Sequence, residues 1–472
     1  MKRIVLSLFA LLAVNSAQAQ APSFDELSRR MIERRAVEAV IWGMPAVNTD
    51  LMRQQMLTKT DGKIGQVIYW GRPLDWHNQT LTPNPDTLYF MTFFDTKDGP
   101  IVLDFPPATS EGSLNGNIVN VWQAPLEDAG LLGVDKGKGV RLLLLPPGYS
   151  GKIPDGYEAL QVGTHSGYAL LRSNLASHSE ADVAGSIAYG KKWKVYPLSQ
   201  ASNPPETVFH DVKDVLFDST IRYDASFFEN LNRIVQTEPW LDRDRVMIDQ
   251  LKTLGIEKGK PFHPDEQTKA ILDGAIKEAH ALLAAKYDAG LPPFFSETSR
   301  WTAPIFPELA KAASAGFTEP SAYPVDTRGL TYTYGYIGIK RLGAGQYYLI
   351  SIRDKDGDAF DGAKTYRLHV PADPPVGQYW SVTAYDRETH ALIKNMPRAS
   401  RASNAAEIKK NADGSVDLYL GPKAPAGQET NWIPTDAARK FELMFRAYGP
   451  KPEFFEKKWS LSDVEQVTRS GR

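Results

Sequence analysis

The chain has 472 residues, a formal net charge of -2 and a hydrophobic fraction of 42%. A chain of this length can form two or three domains with packed cores, and its near-neutral charge argues against a nucleic acid or an anionic membrane as partner. The sequence contains no cysteine, which excludes disulfides, thiolate metal sites and a cysteine nucleophile.

Residues 1–20 have the pattern of a cleaved secretory signal peptide. Lys2 and Arg3 precede an apolar run over residues 4–14, and Ala17-Gln18-Ala19 forms a small-x-small cleavage site. We therefore expect cleavage near Ala19 and a periplasmic or secreted protein, with an uncleaved anchor as the alternative. The run is too short to cross a bilayer and no later stretch reaches ~20 apolar residues, so no integral membrane span is predicted.

Residues 21–60 are predicted to form N-terminal helices. Ser23 and Glu26 have the spacing of a capping box, and apolar residues follow at helical spacing to about Trp42. Gly43 and Pro45 are predicted to stop this helix, because proline lacks the N–H that a helix interior needs. A shorter helix is predicted around residues 49–56.

Residues 61–220 are predicted to form a first β domain, because short β-rich runs alternate there with Gly and Pro. The predicted strands are 67–70, 88–94, 101–105, 117–122, 141–145 and 168–172.

A helical block is predicted over residues 221–320 and a second β domain over residues 321–460. The helical block has apolar residues at helical spacing on both sides of a Gly-rich link at 255–262. The strands predicted for the second domain are 330–339, 346–352, 364–370, 379–385, 416–420 and 441–445. The fold class is therefore mainly β with a helical block (α+β), in which helices join two antiparallel β-sandwich or jelly-roll-like domains.

The loop Gly71–Phe90 concentrates acidic, basic, amide and aromatic side chains among three prolines. Proline fixes its own φ and restricts the residue before it, so the loop is expected to be stiff. Stiff polar loops often carry function. The alternative is that these side chains only satisfy the backbone of a long turn.

This loop supplies the candidate catalytic residues. Asp75-x-His77 and Asn84-x-Asp86 place carboxylates near an imidazole, as general acid–base chemistry requires. We assign Asp86 or Asp75 as acid or base and His77 as its partner, with Asn84 and Arg72 orienting the substrate. No metal site is predicted, because no two of the 8 histidines lie within five residues of each other.

Further residues are assigned to substrate binding by their chemistry. Aromatic rings can stack on a polar ligand, although they more often complete a core. Arg398 lies near Arg401 on a predicted loop, where guanidinium groups could clamp a carboxylate or form a structural salt bridge. The aromatic candidates are Trp76, Tyr89, Trp122 and Trp380.

One acidic segment could bind calcium. Asp354, Asp356, Asp358 and Asp361 lie within eight residues, as in a calcium loop, but Gly357 precedes the third carboxylate and no Glu closes the loop. A hairpin tip facing water is the alternative. No other cofactor is predicted.

The sequence resembles bacterial exported proteins that pair two domains of unknown function, numbered 1254 and 1214. The amino-terminal resemblance is carried by residues 39–45, by Thr82-Pro83-Asn84-Pro85-Asp86-Thr87-Leu88-Tyr89 and by residues 99–103; the carboxyl-terminal one by residues 361–368, 374–386, 411–415 and 431–434. The resemblance implies two β-sandwich-like domains and no particular activity. Residues 110–113 and 146–151 depart from the pattern of many relatives, so that a ligand held by those segments would differ from theirs.

Two functions follow from these observations. The first is an exported acid–base enzyme acting on a small polar molecule or glycan fragment. The second is a non-catalytic periplasmic protein that binds such a ligand or serves as a structural, homo-oligomeric envelope component. A perturbed pKa of Asp86 or His77 favours the enzyme, whereas an aromatic groove without one favours binding alone.

Overall fold

The computed structural model describes residues 21–335, 338–341 and 345–467, so the predicted signal peptide lies outside the described residues. The α-helices are α1 (Phe24–Lys59), α2 (Glu180–Gly190), α3 (Ser226–Thr237), α4 (Arg245–Leu251), α5 (Glu266–Ala289), α6 (Pro307–Ser314), α7 (Val325–Tyr334) and α8 (Pro452–Phe455). The strands before α3 are β1 (Val67–Tyr69), β2 (Asn78–Gln79), β3 (Thr87–Asp95), β4 (Ile101–Phe105), β5 (Leu114–Asn120), β6 (Pro125–Ala129), β7 (Val140–Leu145), β8 (Glu158–Gln161), β9 (Ser166–Asn174), β10 (Lys194–Pro197), β11 (Phe209–Asp211) and β12 (Phe217–Asp218). The strands after α7 are β13 (Gln346–Ser351), β14 (Tyr366–Val370), β15 (Trp380–Asp386), β16 (Ser400–Ala402), β17 (Val416–Gly421), β18 (Trp432–Pro434), β19 (Phe441–Tyr448) and β20 (Glu465–Gln466).

The predicted break in the N-terminal helices is wrong, because α1 runs without interruption through Pro45. Ser23 caps its start, as predicted, by accepting a 3.2 Å hydrogen bond from the Glu26 amide. The middle of α1 is buried on every side, so tertiary packing compensates for the hydrogen bond that proline removes. Gly329 of α7 lies against the Ile41 carbonyl, where a Cβ would come within 2.5 Å.

Two sheets pack face to face in the first β domain. One has the strand order β11-β1-β3-β9-β5-β6 and the other β10-β4-β7-β8. Alternate residues of β3 point to opposite sides: Phe90 and Phe94 enter the core between the sheets, whereas Met91 and Phe93 pack into the core that contains α1. The loop Gly71–Phe90 runs into β3, whose first residues are 87–90. β3 is an inner strand of the larger sheet.

The second β domain has two sheets as well, and each has four strands. Their orders are β13-β19-β15-β16 and β18-β17-β14-β20. The strand predicted over residues 330–339 is wrong at its start, because residues 330–334 belong to α7. These Thr and Tyr residues favour strands, but α7 is buried against α1, and such packing overrides intrinsic propensity.

Helices α1, α3, α5 and α7 pack together and join the two β domains. Their core also contains Tyr385 and Met444 of the second domain. The predicted α+β fold class, with mainly antiparallel sheets in two domains and a helical block, is confirmed; the pairs β1–β11, β7–β8 and β17–β18 are parallel. Within the described ranges, no helix combines the length and apolar character needed to cross a membrane.

A candidate site at the junction of the two β domains

The second β domain holds the end of the loop that precedes β3. The Asn84 side-chain amide donates to the hydroxyl of Tyr448 at 2.6 Å and approaches that of Tyr379 at 3.5 Å. Its carbonyl accepts from the Asp86 amide at 3.0 Å, and Asn84 is only 1% exposed. Asn84 therefore braces the domain junction with the amide that we predicted would orient a substrate.

A buried guanidinium group of the second β domain supports the same loop. Arg446, on β19, is 1% exposed and donates to the Thr82 carbonyl at 2.8 Å and the Tyr385 hydroxyl at 2.5 Å. The Tyr385 hydroxyl donates in turn to the Pro83 carbonyl at 2.6 Å. Thr82 has a φ of 40°, which is strained for a β-branched residue and persists only where surrounding contacts enforce it.

These contacts fix Asp86 in a buried position. The side chain is 2% exposed, and its Oδ1 accepts a 2.8 Å hydrogen bond from the Ser400 hydroxyl. Its Oδ2 makes no hydrogen bond of normal geometry in the part of the chain that the structure describes, although the buried Ser381 hydroxyl lies close enough to help lower the pKa of Asp86. Burial raises the pKa of Asp86, although His178, the Ser400 hydrogen bond and Arg446 oppose this shift.

Asp86 lines a cavity of about 260 Å³ between the domains, which we call the junction pocket. Five of the predicted site residues line it: Arg72, Asp75, Trp76, Asp86 and Arg398. His178, Ser400 and Arg401 line it too, and the sequence analysis did not assign them to the site.

Asp75 is the second carboxyl of the junction pocket, and it is fully hydrogen-bonded. Its Oδ1 accepts from the His77 amide at 2.9 Å and lies 2.7 Å from His77 Nδ1, while Oδ2 accepts from Arg72 at 2.9 Å. Burial alone would raise the pKa of Asp75, but the hydrogen bonds from His77 and Arg72 outweigh it and lower the pKa. The two carboxyls of one pocket are thus shifted in opposite directions, a pattern that separates acid from base in many active sites.

The imidazole that lines the junction pocket is His178 and not His77. The His77 ring stacks on Trp76 with centroids 3.8 Å apart, and the residue is not among those lining the pocket. The Nε2 atom of His178 is buried and has no hydrogen-bonding partner among the described residues. His178 follows β9, which pairs with β3 so that Asn174 lies opposite Thr87; only this register reveals that His178 lies near Asp86.

Three other predicted ligand contacts lie in packed interiors away from the junction pocket. Trp122 packs on Trp42 with ring centroids 4.6 Å apart, and Trp380 stacks on Phe445 at 6.0 Å. The Tyr89 hydroxyl accepts a 3.3 Å hydrogen bond from the Asn84 amide. These aromatic rings complete cores or support the loop, as aromatic side chains often do.

Two arginines that line the junction pocket make long polar contacts. Arg398 donates to the Glu429 carbonyl at 3.3 Å, and Arg401 pairs with Glu407 at 3.2 Å. Arg398 could therefore exchange its contact for an anionic or polyhydroxylated ligand at small cost, whereas the Arg401 side chain is buried at 8% exposed and would lose more on leaving Glu407.

The acidic segment forms a tight turn. Asp354 Oδ1 accepts hydrogen bonds from the amides of Asp356 and Asp358, both at 3.0 Å. Asp361 Oδ1 accepts from the Ala363 amide at 2.9 Å. Across residues 21–335, 338–341 and 345–467 no group of three or more His, Asp or Glu side chains is placed to hold a metal ion. Calcium binding here stays a prediction.

Each of the two β domains contains the match to a separate family model. Residues 64–197 match the family model described as "Protein of unknown function (DUF1254)", and residues 345–452 match "Protein of unknown function (DUF1214)". The chain belongs to the proteins that pair these two domains, as the sequence resemblance predicted.

The structure is similar to the crystal structure of the VPA0106 protein from Vibrio parahaemolyticus, with a TM-score of 0.59 at 17% identity over 93% of this chain and 100% of that one. A crystal structure of an uncharacterized protein from Burkholderia cenocepacia matches with a TM-score of 0.40 at 11% identity, over 93% of this chain and 95% of that one. No curated protein matches the sequence significantly. At these identities the likeness concerns the fold alone.

Proposed function

We propose that the protein binds a small polar or carbohydrate-like molecule in the junction pocket and acts on it by acid–base catalysis. The observation that carries this proposal is Asp86, a buried carboxyl at the wall of a cavity, whose Oδ2 makes no hydrogen bond of normal geometry in the described chain. An unsatisfied buried polar atom costs about 1–3 kcal/mol. Such a cost is understandable where a ligand supplies the missing hydrogen bond.

The pKa shifts support distinct roles for the two carboxyls. Asp86, whose pKa burial raises, retains its proton to higher pH and suits the role of general acid. Asp75, whose pKa its hydrogen bonds lower despite burial, stays ionised and holds Arg72 and His77 in place. His178 is available to hydrogen-bond the ligand, because its Nε2 has no partner in the described residues.

The dimensions of the pocket limit the ligand. A cavity of about 260 Å³ lies below the ~300–1,000 Å³ typical of sites for drug-sized molecules, so it suits a single sugar ring or a comparable polar molecule. Trp76 offers a ring face for stacking, Arg398 offers a donor at the rim, and the buried Arg401 offers one deeper in the pocket.

Binding without catalysis is the second candidate. It is favoured by the saturated hydrogen bonding of Asp75 and by the apolar part of the wall, which includes Ile393 and Met396. An unreactive binding protein needs the stacking surface and the donors but not a displaced pKa at Asp86.

The experiment is a screen of monosaccharides, uronic acids and short oligosaccharides, with calorimetry for binding and NMR spectroscopy for product formation. Asp86→Asn should reduce turnover by about 10²–10⁴-fold, the usual contribution of a general acid. Asp104→Asn is the matched control, because Asp104 also has a pKa raised by burial but lies on β4 away from the pocket. Full turnover in Asp86→Asn, or a panel in which nothing binds, would contradict the proposal; binding that needs Trp76 without turnover would favour the second candidate.

We also propose that the chain is exported to the periplasm or secreted after cleavage near Ala19, and that it associates with copies of itself. The signal-like residues 1–20 support export. Amino-terminal sequencing of protein from the periplasmic fraction tests the cleavage, and light scattering coupled to size-exclusion chromatography tests the association.

A further inference from the structure

A second cleft lies between the helical layer and the second β domain, and it shares no lining residue with the junction pocket. It consists of a cavity of about 390 Å³ and an adjoining one of about 310 Å³. Both cavities are lined by Tyr223, His280, Thr333, Glu388 and His390. We call this space the helix-side cleft.

A buried carboxylate orients one imidazole of the helix-side cleft. Glu442, 1% exposed, lies 2.8 Å from His390 Nδ1 and accepts a 3.0 Å hydrogen bond from the Tyr287 hydroxyl. A carboxylate can only accept, so Nδ1 carries the proton of a neutral His390, and Nε2 carries the lone pair. His390 Nε2 makes no hydrogen bond to any residue that the structure describes.

The position of His390 is imposed by its surroundings. The residue is 8% exposed and has a φ of 55°, a conformation that non-glycine residues adopt infrequently. Its carbonyl accepts a 2.7 Å hydrogen bond from the Thr82 amide. Residues whose uncommon backbone conformation is enforced by surrounding contacts concentrate at ligand sites.

A second imidazole faces the same cleft. The His280 ring stacks on Tyr223 with centroids 3.6 Å apart and planes inclined by 10°. Burial lowers the pKa of His280, so its neutral form is favoured. The two rings give the cleft hydrogen-bonding nitrogens against an aromatic floor.

Two of the four cations that line the cleft have no carboxylate partner among the described residues, although the carboxylates Asp288, Asp386, Glu388 and Glu442 equal the cations in number. Arg387 pairs with Asp288 at 2.7 Å and lies 3.6 Å from Glu442, and Arg439 pairs with Asp386 and Glu388. The remaining lining cations are Arg353, which donates to backbone carbonyls, and Lys440, which forms no ion pair with the described residues. An anionic ligand would therefore meet an unpaired ammonium group at the rim.

We propose that the helix-side cleft is a second ligand site that takes a small hydroxycarboxylate, with Lys440 pairing the carboxylate and His390 Nε2 accepting a hydrogen bond from a hydroxyl. The ammonium group accounts for the charge of the ligand and the lone pair of Nε2 for the hydroxyl. Glu442 acts as a positioning residue, because it fixes the tautomer and the direction of the imidazole.

The first test compares three probes by calorimetry on the full chain. D-gluconate carries both groups, D-glucose lacks the charge, and hexanoate lacks the hydroxyls. We expect D-gluconate to bind at least tenfold more tightly than either of the others. Failure of D-gluconate, D-glucuronate and L-lactate alike to bind, or equal binding of D-gluconate and hexanoate, would overturn the proposal.

The second test locates the bound probe. Lys440→Met should weaken D-gluconate binding roughly tenfold, as the loss of one charge-assisted hydrogen bond does. Lys423→Met is the matched control, because Lys423 is also an exposed lysine of the second domain but does not line the cleft. His390→Asn should weaken binding by a similar factor, and Asn tolerates the positive φ at this position. Unchanged binding in both cleft variants would place the probe elsewhere and contradict the proposal.

A spectroscopic measurement separates a ligand contact from a structural role. In a ¹⁵N-edited spectrum of the histidine rings, the signal absent from His390→Asn should show a protonated Nδ1 and an unprotonated Nε2. D-gluconate should shift the Nε2 resonance, because that nitrogen accepts the hydroxyl hydrogen bond. An unshifted Nε2 resonance at saturating D-gluconate would refute the contact.

Discussion

Each half of the loop that carries the candidate site places a carboxyl two positions from another polar side chain, but the two halves have opposite surroundings. Asp75-x-His77 lies in the shallow half, residues 72–77, where the Asp75 side chain is 36% exposed. Asn84-x-Asp86 lies in the deep half, residues 82–86, where Asp86 is 2% exposed beneath the second domain. Burial therefore determines the direction of the pKa shift at Asp86, and hydrogen bonding determines it at Asp75. The surroundings of each carboxyl, and not the local sequence motif, decide how it titrates.

The largest expected effect comes from removing the guanidinium group that supports the deep half. Arg446→Met should lower the free energy of unfolding by about 3 kcal/mol, because it leaves buried carbonyl and hydroxyl groups without their donor. Urea denaturation followed by tryptophan fluorescence measures it. The matched control is Arg398→Met at the rim of the junction pocket, which should cost less than about 0.5 kcal/mol. Equal losses in the two variants would remove the distinction between a deep and a shallow half.

A smaller effect should follow from releasing Asn84. Asn84→Ala removes the hydrogen bond to Tyr448 and the turn contact with the Asp86 amide, so we expect a loss of about 2 kcal/mol in the free energy of unfolding. Tyr448→Phe keeps the ring stacked on Tyr379 and removes only the hydroxyl. The double variant then gives the coupling energy, expected at about 1 kcal/mol; additive losses would show that the 2.6 Å contact contributes nothing.

The pH dependence of stability should reveal the raised pKa of Asp86. Because the folded pKa lies above the unfolded one, the folded protein binds more protons, and stability present below the unfolded pKa is lost as the pH rises through the folded pKa. Asp86→Asn cannot ionise, so its stability relative to the parent protein should increase over that interval, by at most about 1.4 kcal/mol per pH unit. Unfolding free energies of both proteins between pH 3 and pH 8 measure the difference, and a flat difference would contradict a raised pKa.

Asp75 should show the smallest effect, with the opposite sign. Its folded pKa is lowered, so its contribution to stability is present above the unfolded pKa and is lost as the pH falls through the folded pKa. Asp75→Asn should therefore be less stable than the parent protein at neutral pH, and the two should converge in acid. Solvent screening makes this difference smaller than that at Asp86. The same direction of change in both variants would mean that the two halves do not differ electrostatically.

The sequence predicted the strands well where Gly and Pro bound β-branched or aromatic runs, as at Ile101–Phe105, which the structure reproduces residue for residue. It failed where tertiary packing outweighed local preference. Pro45 lies inside a helix because neighbouring helices surround it, and the Thr and Tyr residues of α7 are helical because that helix packs on α1.

The candidate site was predictable only in part. Asp75 and Asp86 could be named from a stiff polar loop, but His178 comes from a strand end more than 90 residues further along the chain, and Glu442 and His390 are brought together across strands of the second domain. Such pairings depend on sheet register, which local patterns do not specify. The role of Asn84 was equally hidden, since its partner Tyr448 is 364 residues away.

The hydrogen bonds of Asn84 cross from one matched domain family to the other. The loop comes from the region that matches the first family, whereas Tyr379, Tyr385, Tyr448 and Arg446 come from the region that matches the second. Neither region expressed alone would retain the groups that hold Asp86 in place. A split of this chain into two separate polypeptides could preserve the junction pocket only if the two products reassembled into one particle.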